Sequence, residues 1–273
     1  MGRNNQILIC LFVCMTIFIL SCEKEDEYFP EAESTFTDSE LAILNQALNL
    51  RGILLNYTNQ NLPPHYTSAD ANDADNTPAD NPITDIGATL GRVLFYDKNL
   101  SINNTISCAS CHKQEAAFSD NDQFSKGLNG QLTKRNSMTL INARYYEKGK
   151  FFWDERASTL EEQSLMPIQD HAEMGMELDT LESKLQAIEY YQILFNKVFG
   201  DNQVTSNRIA RVLSQYMRSI VSFNSKFDEG FAGAGYPEDG EQMPDFTNYT
   251  TQENLGLDIF YRGKKLHPYY GLL

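Results

Sequence analysis

Cysteine, histidine, tryptophan and basic residues are all scarce in this sequence. Its 273 residues include 5 Cys, 4 His and 1 Trp, and 22 Lys and Arg stand against 37 Asp and Glu, for a formal net charge of −15. So few cysteines exclude a disulfide-rich scaffold. The acidic excess argues against nucleic acid or anionic lipid as a partner and allows electrostatic attraction of a basic protein.

Strand-like alternation of apolar and polar residues is equally rare. Apolar residues instead recur at helical spacing after capping residues. The predicted caps are Thr84 or Asp85, before a helix predicted to stop at Tyr96-Asp97, the segment STLE at 158–161, Asp179 with Glu182 before the apolar run from Leu181 to Val198, and Thr205. In the first of these helices, Gly87 and Gly91 leave a slim face for close packing. Since long polar loops separate the helices, the sequence predicts a mainly α fold with long loops.

The N-terminus has the features of an export signal. After Arg3, residues 7–20 form an apolar run that is short for a membrane-spanning helix, and Ser21-Cys22 follows it directly. The sequence ILSC at 19–22 resembles a lipoprotein box. We therefore predict a lipoprotein signal peptide over 1–21 and an exported, periplasmic protein that a lipid on Cys22 anchors to the membrane. An uncleaved membrane helix is the alternative.

The remainder divides into segments of different composition. Residues 22–36 are acidic and aperiodic, as in a solvated tether, and 37–61 are predicted to hold an N-terminal helix that ends near Asn56. Residues 62–80 are rich in Pro, Asp and Asn, which predicts a linker loop. The main domain is expected over 81–245.

Only Cys108 and Cys111 remain in the predicted folded part, and His112 follows them directly. Two cysteines at this spacing with an adjacent histidine form the attachment motif of c-type haem, whose vinyl groups react with the thiols and whose iron binds the imidazole. A redox dithiol would be expected beside a parallel sheet, and a zinc site needs four ligands. We therefore predict one covalently bound haem c.

Six blocks along residues 83–262 resemble the di-haem cytochrome c peroxidase and MauG-like family. In chain order they are LGRVLFYDKNLS, SCASCH, AAFSD, RNSMTLIN, FFWDERASTLEEQ and MPIQDHAEMG. The resemblance implies a cytochrome c-like haem domain in which the N-terminal haem reacts with hydrogen peroxide. It also implies a small electron-carrier protein, such as a cytochrome c or a cupredoxin, as the electron donor.

The resemblance assigns roles to individual residues. Trp153 falls where the family has a Trp between its two haems. Gln163 and Glu173 match the distal glutamine and glutamate that orient and deprotonate the peroxide. Asn142 matches an asparagine that helps to hold a structural calcium between the haem domains.

The sixth iron ligand is the least defined part of this resemblance. No histidine lies between His112 and His171, so the loop histidine that ligates the resting iron in many members has no counterpart. We expect an open or water-bound position. The other candidates are Met138, Met166, Met174, Met176 and His171.

Residues 246–273 begin like the family's approach to its second haem, but no second Cys-x-x-Cys-His follows and His267 stands without cysteines. We expect the start of a truncated second haem domain here. The predicted function is a haem-dependent peroxidase-type oxidoreductase whose electron input is incomplete. A mono-haem electron-transfer protein and a non-functional fragment are the alternatives.

Overall fold

A computed structural model describes residues 35–50, 52–234 and 243–265. The predicted signal peptide, Cys22, all but the last residues of the tether, and His267 lie outside the described residues. From Phe36 onward the described residues form a single unit. None of the described helices has both the length and the apolar character needed to cross a membrane.

The described residues are mainly helical, which confirms the predicted class. In the described residues, β-structure takes the form of isolated antiparallel bridges, such as Lys113 with Ser119 and Phe151 with Ala157. Short 3₁₀ turns cover Pro64–Tyr66, Lys98–Leu100, Gln114–Ala116, Leu128–Gly130 and Ala143–Tyr145. The α-helices are α1 Asp38–Ala47, α2 Ala69–Ala74, α3 Asp85–Tyr96, α4 Cys108–Cys111, α5 Leu160–Gln169, α6 Leu178–Gln186, α7 Glu189–Phe199, α8 Ser206–Arg218, α9 Lys226–Ala234 and α10 Thr251–Lys265.

Helices α3 and α8 form the centre of the fold. A Cβ added at Gly91 would lie 1.9 Å from the backbone oxygen of Val212, and one at Gly87 would lie 2.1 Å from the Gln215 side chain. The two helices therefore approach more closely than any other residue type allows, and the predicted slim face is confirmed. The surrounding hydrophobic core includes Leu90, Leu94, Phe95, Leu160, Ile168, Leu194, Phe195, Ile209 and Val212.

Helices α3, α5 and α8 each begin with a threonine cap. Thr84 Oγ1 accepts from Gly87 N at 3.1 Å, and Thr205 Oγ1 accepts from Arg208 N at 3.3 Å, as predicted. At α5 the cap is Thr159, with Ser158 N donating to Glu162 Oε2 at 2.8 Å. The predicted box of Ser158 with Glu161 is therefore one residue out of register, which leaves the Glu161 carboxylate for another partner.

Helix α1 is shorter than predicted. It ends at Ala47 and Leu48 is already extended, so the predicted end near Asn56 is wrong. Leu48, Leu50 and Leu54, which follow α1, pack against the core. Asp85 Oδ1, in the first turn of α3, accepts from Tyr57 N at 2.8 Å and from Thr58 N at 2.9 Å. These two backbone N–H groups therefore bind a residue distant in sequence, not a carbonyl of the same helix.

The predicted linker at 62–80 is folded and packed onto the remainder. It contains α2 and a 3₁₀ turn, and His65 Nε2 lies 2.9 Å from Asp228 Oδ1 of α9. Asp75 pairs with Arg144 at 2.5 Å. Because these links are polar and long-range, composition alone suggested a loose loop.

A further difference concerns the apolar run from Leu181 to Val198. The sequence suggested one helix capped near Asp179, whereas the structure has α6 and α7 with Ile188 at the N-terminus of the second. Glu182 Oε1 accepts from Ser206 N at 2.5 Å. The side chain of Glu182 therefore contacts the start of α8 and does not cap its own helix.

Candidate functional site

A cavity of about 420 Å³ opens beside the Cys-x-x-Cys-His motif. Cys108, Cys111 and His112 line it together with Gln163 and Glu173. The motif and the two predicted distal residues, more than fifty positions apart in sequence, therefore share one space. Apolar lining comes from Phe95, Ile106, Leu140, Phe151, Phe152, Leu160, Leu213 and Met217.

His112 is held in one orientation by a tight turn. The chain reverses over 113–119, where Ala117 and Phe118 have φ of 56° and 54°, and the Phe118 carbonyl accepts from His112 Nδ1 at 2.9 Å. Burial lowers the pKa of His112 below its usual value, although the backbone carbonyls of Phe118 and Met138 oppose this. With the proton on Nδ1, the Nε2 atom is the nitrogen that can bind a metal.

The two motif cysteines are free thiols. Burial, with a smaller effect of Cys111, raises the pKa of Cys108 to about 12, and burial also raises the pKa of Cys111. Reactive redox dithiols depend on a lowered pKa, which makes the thiolate available. These thiols are instead protonated at neutral pH, which argues against the redox-dithiol alternative.

Asp120 organises the loop that follows the motif. It accepts from Lys113 Nζ at 2.7 Å and from Ser125 Oγ at 2.6 Å, and Ser137 Oγ lies 2.9 Å from Ser125 Oγ. Burial raises the pKa of Asp120, but the hydrogen bonds from Lys113 and Ser125 outweigh it and bring the pKa to about 2. The carboxylate thus links the start of the loop to the segment that returns to the cavity.

Backbone hydrogen bonds and a close contact with a neighbouring loop fix the turn that contains Glu173. The Asp170 carbonyl accepts from Glu173 N at 3.0 Å, and the Glu173 carbonyl accepts from Leu128 N at 2.9 Å. A Cβ added at Gly127 would lie 2.1 Å from the Ala172 oxygen. Only glycine at 127 therefore allows the loop to approach the turn this closely.

Burial raises the pKa of the Glu173 carboxyl, with Asp170 adding to the effect and Arg156 and Lys134 partly opposing it. Gln163 reaches the same cavity from α5. Pro167 has no N–H for the Gln163 carbonyl, the usual helical partner. A carboxyl with a raised pKa, in the same cavity as a primary amide, is suited to accept and return a proton.

Trp153 lines the cavity and is 60% exposed. Its indole N–H donates to the Asn136 carbonyl at 2.9 Å. Asn142 is not among the lining residues: its Oδ1 accepts from Ser222 N at 2.9 Å. The role of Trp153 and the calcium site at Asn142 stay predictions.

The candidates for a sixth ligand fall into two groups. Met138 and Met174 line the cavity. Met166, Met176 and His171 are absent from its lining, and His171 is exposed. The choice between a methionine and an open position stays a prediction.

Sequence reasoning missed the charged residues of the cavity. Lys134, Arg135, Asp154 and Arg156 all belong to its lining. They lie within or next to two of the blocks that carried the resemblance, RNSMTLIN and FFWDERASTLEEQ. The available indication was the adjacent pair Lys134 and Arg135, in a chain in which basic residues are scarce.

The residues of the cavity fit a covalently attached haem. Two thiols and one imidazole with a free Nε2 supply the attachment and the axial ligand. The apolar lining suits a flat macrocycle, and the volume falls in the range of cofactor sites. Cationic residues in the lining suit the carboxylates that haem carries.

Comparison with known proteins agrees with this site. The profile of the family described as di-haem cytochrome c peroxidase matches residues 86–235. The chain belongs to this family. Membership implies c-type haem as the cofactor, and the six blocks of the sequence fall within the matched range.

Individual relatives include the methylamine utilization protein MauG of Methylophilus methylotrophus, 36% identical over 173 residues, which are 63% of this chain and 51% of that protein. The cytochrome c551 peroxidase of Nitrosomonas europaea is 36% identical over 146 residues, 54% of this chain and 43% of that protein. The crystal structure of a MauG-like protein associated with microbial copper homeostasis superposes with a TM-score of 0.58 at 31% identity, covering 67% of this chain and 51% of that one.

The chain spans about half the length of these relatives. The matched family domain includes α3 through α9, and it therefore contains the motif, the turn of Glu173 and the whole lining of the cavity.

Proposed function

We propose that this chain is a haem-dependent peroxidase-type oxidoreductase that acts on hydrogen peroxide. The observation that carries the proposal is the single cavity shared by the attachment motif, Gln163 and Glu173. Haem, when bound through Cys108 and Cys111, supplies the redox centre. A small electron-carrier protein supplies the electrons, and reduction of peroxide to water consumes protons and electrons in equal number.

The proton transfers fall to the chain's own residues. Glu173 accepts a proton from one oxygen of hydrogen peroxide and returns it to the other, a transfer favoured by its raised pKa. Gln163 orients the peroxide through its side-chain amide. His112, with Nδ1 bound to the Phe118 carbonyl, would hold the iron of an attached haem through Nε2.

The test is the rate of reaction with peroxide. The full chain is produced in cells that attach c-type haem, and attachment is verified from the absorption spectrum of the denatured protein in pyridine. Mixing with peroxide is followed by stopped-flow absorption. Because a positioned general base contributes about 10²–10⁴-fold, Glu173→Gln is expected to slow the reaction by that order.

The matched control is Glu115→Gln, which removes an exposed acid outside the cavity lining, close to the motif. It should react like the unchanged chain. Attached haem that is inert to peroxide would contradict the proposal, as would equal rates for the Glu173 and Glu115 variants.

A mono-haem electron-transfer protein is the second candidate, because Met138 and Met174 line the cavity. A thioether bound to the iron would give a methionine-to-iron charge-transfer band and a low-spin spectrum. Met138→Ala or Met174→Ala would remove that band. A high-spin spectrum favours the peroxidase.

The location and the other partners complete the proposal. Attachment of haem c and a leader over 1–21 are consistent with export to the periplasm and with a lipid on Cys22. Labelling with a radioactive fatty acid, lost in Cys22→Ala, would test the anchor. Calcium at Asn142 is tested by metal analysis of the purified chain.

A further inference from the structure

A buried ion pair joins α5 to α8 outside the lining of the cavity. Arg218, the last residue of α8, is 1% exposed. Its Nη1 donates to Glu161 Oε1 at 2.6 Å and its Nη2 donates to Glu161 Oε2 at 3.1 Å, while its Nε donates to Asn76 Oδ1 at 3.0 Å. A buried guanidinium is costly to a fold unless it is paired in this way. Neither residue takes part in the proposed proton transfers.

Glu161 is ionised and held from two directions. Burial opposes its charge, but the hydrogen bond and the charge of Arg218, with a hydrogen bond from Asn81, outweigh it and lower the pKa of the Glu161 carboxyl below its ordinary value. Asn81 Nδ2 donates to Glu161 Oε1 at 2.8 Å, and Asn81 Oδ1 accepts from Gln215 Nε2 of α8 at 2.9 Å. The carboxylate is therefore tied to α8 both directly and through the segment that precedes α3.

The cavity lies on a different side of α5. The residues of α5 that line the cavity are Leu160, Gln163, Ser164 and Pro167. Their spacing places them on one face of the helix. Glu161 precedes Gln163 by two positions, which is about 200° around the axis of a helix with about 3.6 residues per turn. Glu161 and Gln163 therefore point in nearly opposite directions, one toward Arg218 and the other into the cavity.

The hydrogen bonds that cap the start of α5 are local. Thr159 Oγ1 accepts from Glu162 N at 3.1 Å, and Glu162 Oε2 accepts from Ser158 N at 2.8 Å. Both bonds join the helix to the residues immediately before it, so they do not set its rotation relative to α8. Pro167 also removes the hydrogen bond that the Gln163 carbonyl would accept inside the helix. The pair of Glu161 with Arg218 supplies what these bonds lack, a directional link between α5 and α8.

We propose that Glu161 and Arg218 are positioning residues for the reaction with peroxide. The ion pair holds α5 at the rotation in which the Gln163 amide faces the bound peroxide. A rotation that moves Gln163 away has to break two hydrogen bonds to a buried guanidinium. Small displacements matter, because a misplacement of about 1 Å can slow a reaction by about 10²-fold. This inference rests on the role proposed for Gln163 in the peroxidase function.

The first measurement is the rate of reaction with peroxide in the full chain with attached haem. Glu161→Gln keeps the shape of the side chain and removes its charge, and it is expected to slow the reaction by about tenfold or more. Because an unpaired buried guanidinium weakens a fold, a second variant combines Glu161→Leu with Arg218→Met, which removes both charges. This double variant is expected to fold and to be slowed to the same extent. Arg211→Gln is the matched control, since it removes a more exposed pair of α8 with Asp80, and it should react like the unchanged chain.

Two readouts separate positioning from a general loss of stability. In a Gln163→Leu background, Glu161→Gln should slow the reaction no further, because the side chain that it positions is gone. The second readout is the infrared C–O stretching band of carbon monoxide bound to the reduced haem, which moves to higher frequency when a hydrogen bond to the ligand is lost. Gln163→Leu gives the reference position of this band. The bands of Glu161→Gln and of the double variant should move toward that position, and the band of Arg211→Gln should not.

Unshifted bands in Glu161→Gln and in the double variant would overturn the inference, as would equal slowing by Glu161→Gln with and without Gln163. A band that Gln163→Leu itself leaves unchanged would also overturn it, because the amide would then not reach the ligand. Failure of the proposed function gives a different result. A haem-bearing chain that is inert to peroxide, but whose carbon monoxide band shifts in these variants, would contradict the peroxidase function and still support the positioning of Gln163.

Discussion

At the scale of single residues, one carboxylate holds the loop that surrounds the haem motif. Asp120 accepts hydrogen bonds from Lys113, Ser125 and the backbone N–H of Asp122, and it is nearly fully buried. None of these contacts follows from the Cys-x-x-Cys-His pattern, which indicates the ligands of a haem and not what orients them. The orientation of those ligands depends on side chains farther along the chain, as far as Ser137.

The stability of this loop should depend on pH. Burial raises the pKa of Asp120, but hydrogen bonds from Lys113 and Ser125 lower it to about 2 from its ordinary 3.8. The stabilisation is therefore complete above pH 3.8 and is lost as the pH falls toward 2. Asp120→Asn should lower the free energy of unfolding by about 1 kcal/mol at neutral pH.

The free energy of unfolding of the haem-bearing protein is measured by urea unfolding at several pH values. The difference between Asp120→Asn and the unchanged chain should shrink as the solution is acidified. Asp122→Asn, at an exposed neighbouring position, serves as the control. A difference that stays constant with pH would show that Asp120 contributes through packing and not through its charge.

At the scale of elements, the parts of the fold that could be predicted are those fixed by neighbours in sequence. The starts of α3 after Thr84 and of α8 after Thr205 could be predicted from a capping residue that is followed by apolar residues at helical spacing. The path of the chain after α1 could not, because Tyr57 and Thr58 donate their backbone N–H groups to Asp85. Local patterns cannot indicate a partner that far along the chain.

The same limit explains the register at α5. Ser158 and Glu161 satisfy the pattern of a capping box, but Glu161 pairs with the buried Arg218 at 2.6 Å. Thr159 and Glu162 then form the cap. In the cavity, likewise, the family blocks indicated Gln163 and Glu173, whereas the contact of Arg135 with Asp154 is formed only when two separate segments meet.

The contact between α3 and α8 gives a test at this scale. In Gly91→Ala the new methyl would lie 1.9 Å from the Val212 oxygen, a backbone atom that cannot move aside alone. We expect a loss of about 2 kcal/mol in the free energy of unfolding, since overpacking costs about 1–3 kcal/mol or more.

Gly256→Ala is the matched control in α10, because nothing lies within 4 Å of the added methyl. Because alanine favours a helix more than glycine does, this variant should leave the free energy of unfolding unchanged or increase it by up to about 1 kcal/mol. The melting temperatures of both variants are compared by thermal unfolding. Equal melting temperatures would mean that α3 and α8 can separate without cost.

At the scale of the whole molecule, the N-terminal segment is part of the haem-binding unit. Residues 57–81 reach α3 through Asp85, α9 through Asp228 and the loop after Asn142 through Arg144. The segment precedes the matched family domain, residues 86–235, and contacts it at Asp228 and Arg144. A chain in which 62–80 were a linker would lack these links.

Limited digestion with chymotrypsin distinguishes a packed segment from a linker, because cleavage at Tyr57 or Tyr66 requires local opening. The unchanged chain should resist cleavage there. Arg144→Gln removes the partly buried pair with Asp75, which is worth about 1–3 kcal/mol, and should speed cleavage by about tenfold or more. Lys148→Gln removes an exposed pair with Glu155 and should have no effect. Rapid cleavage of the unchanged chain at these tyrosines would mean that the segment is a linker after all.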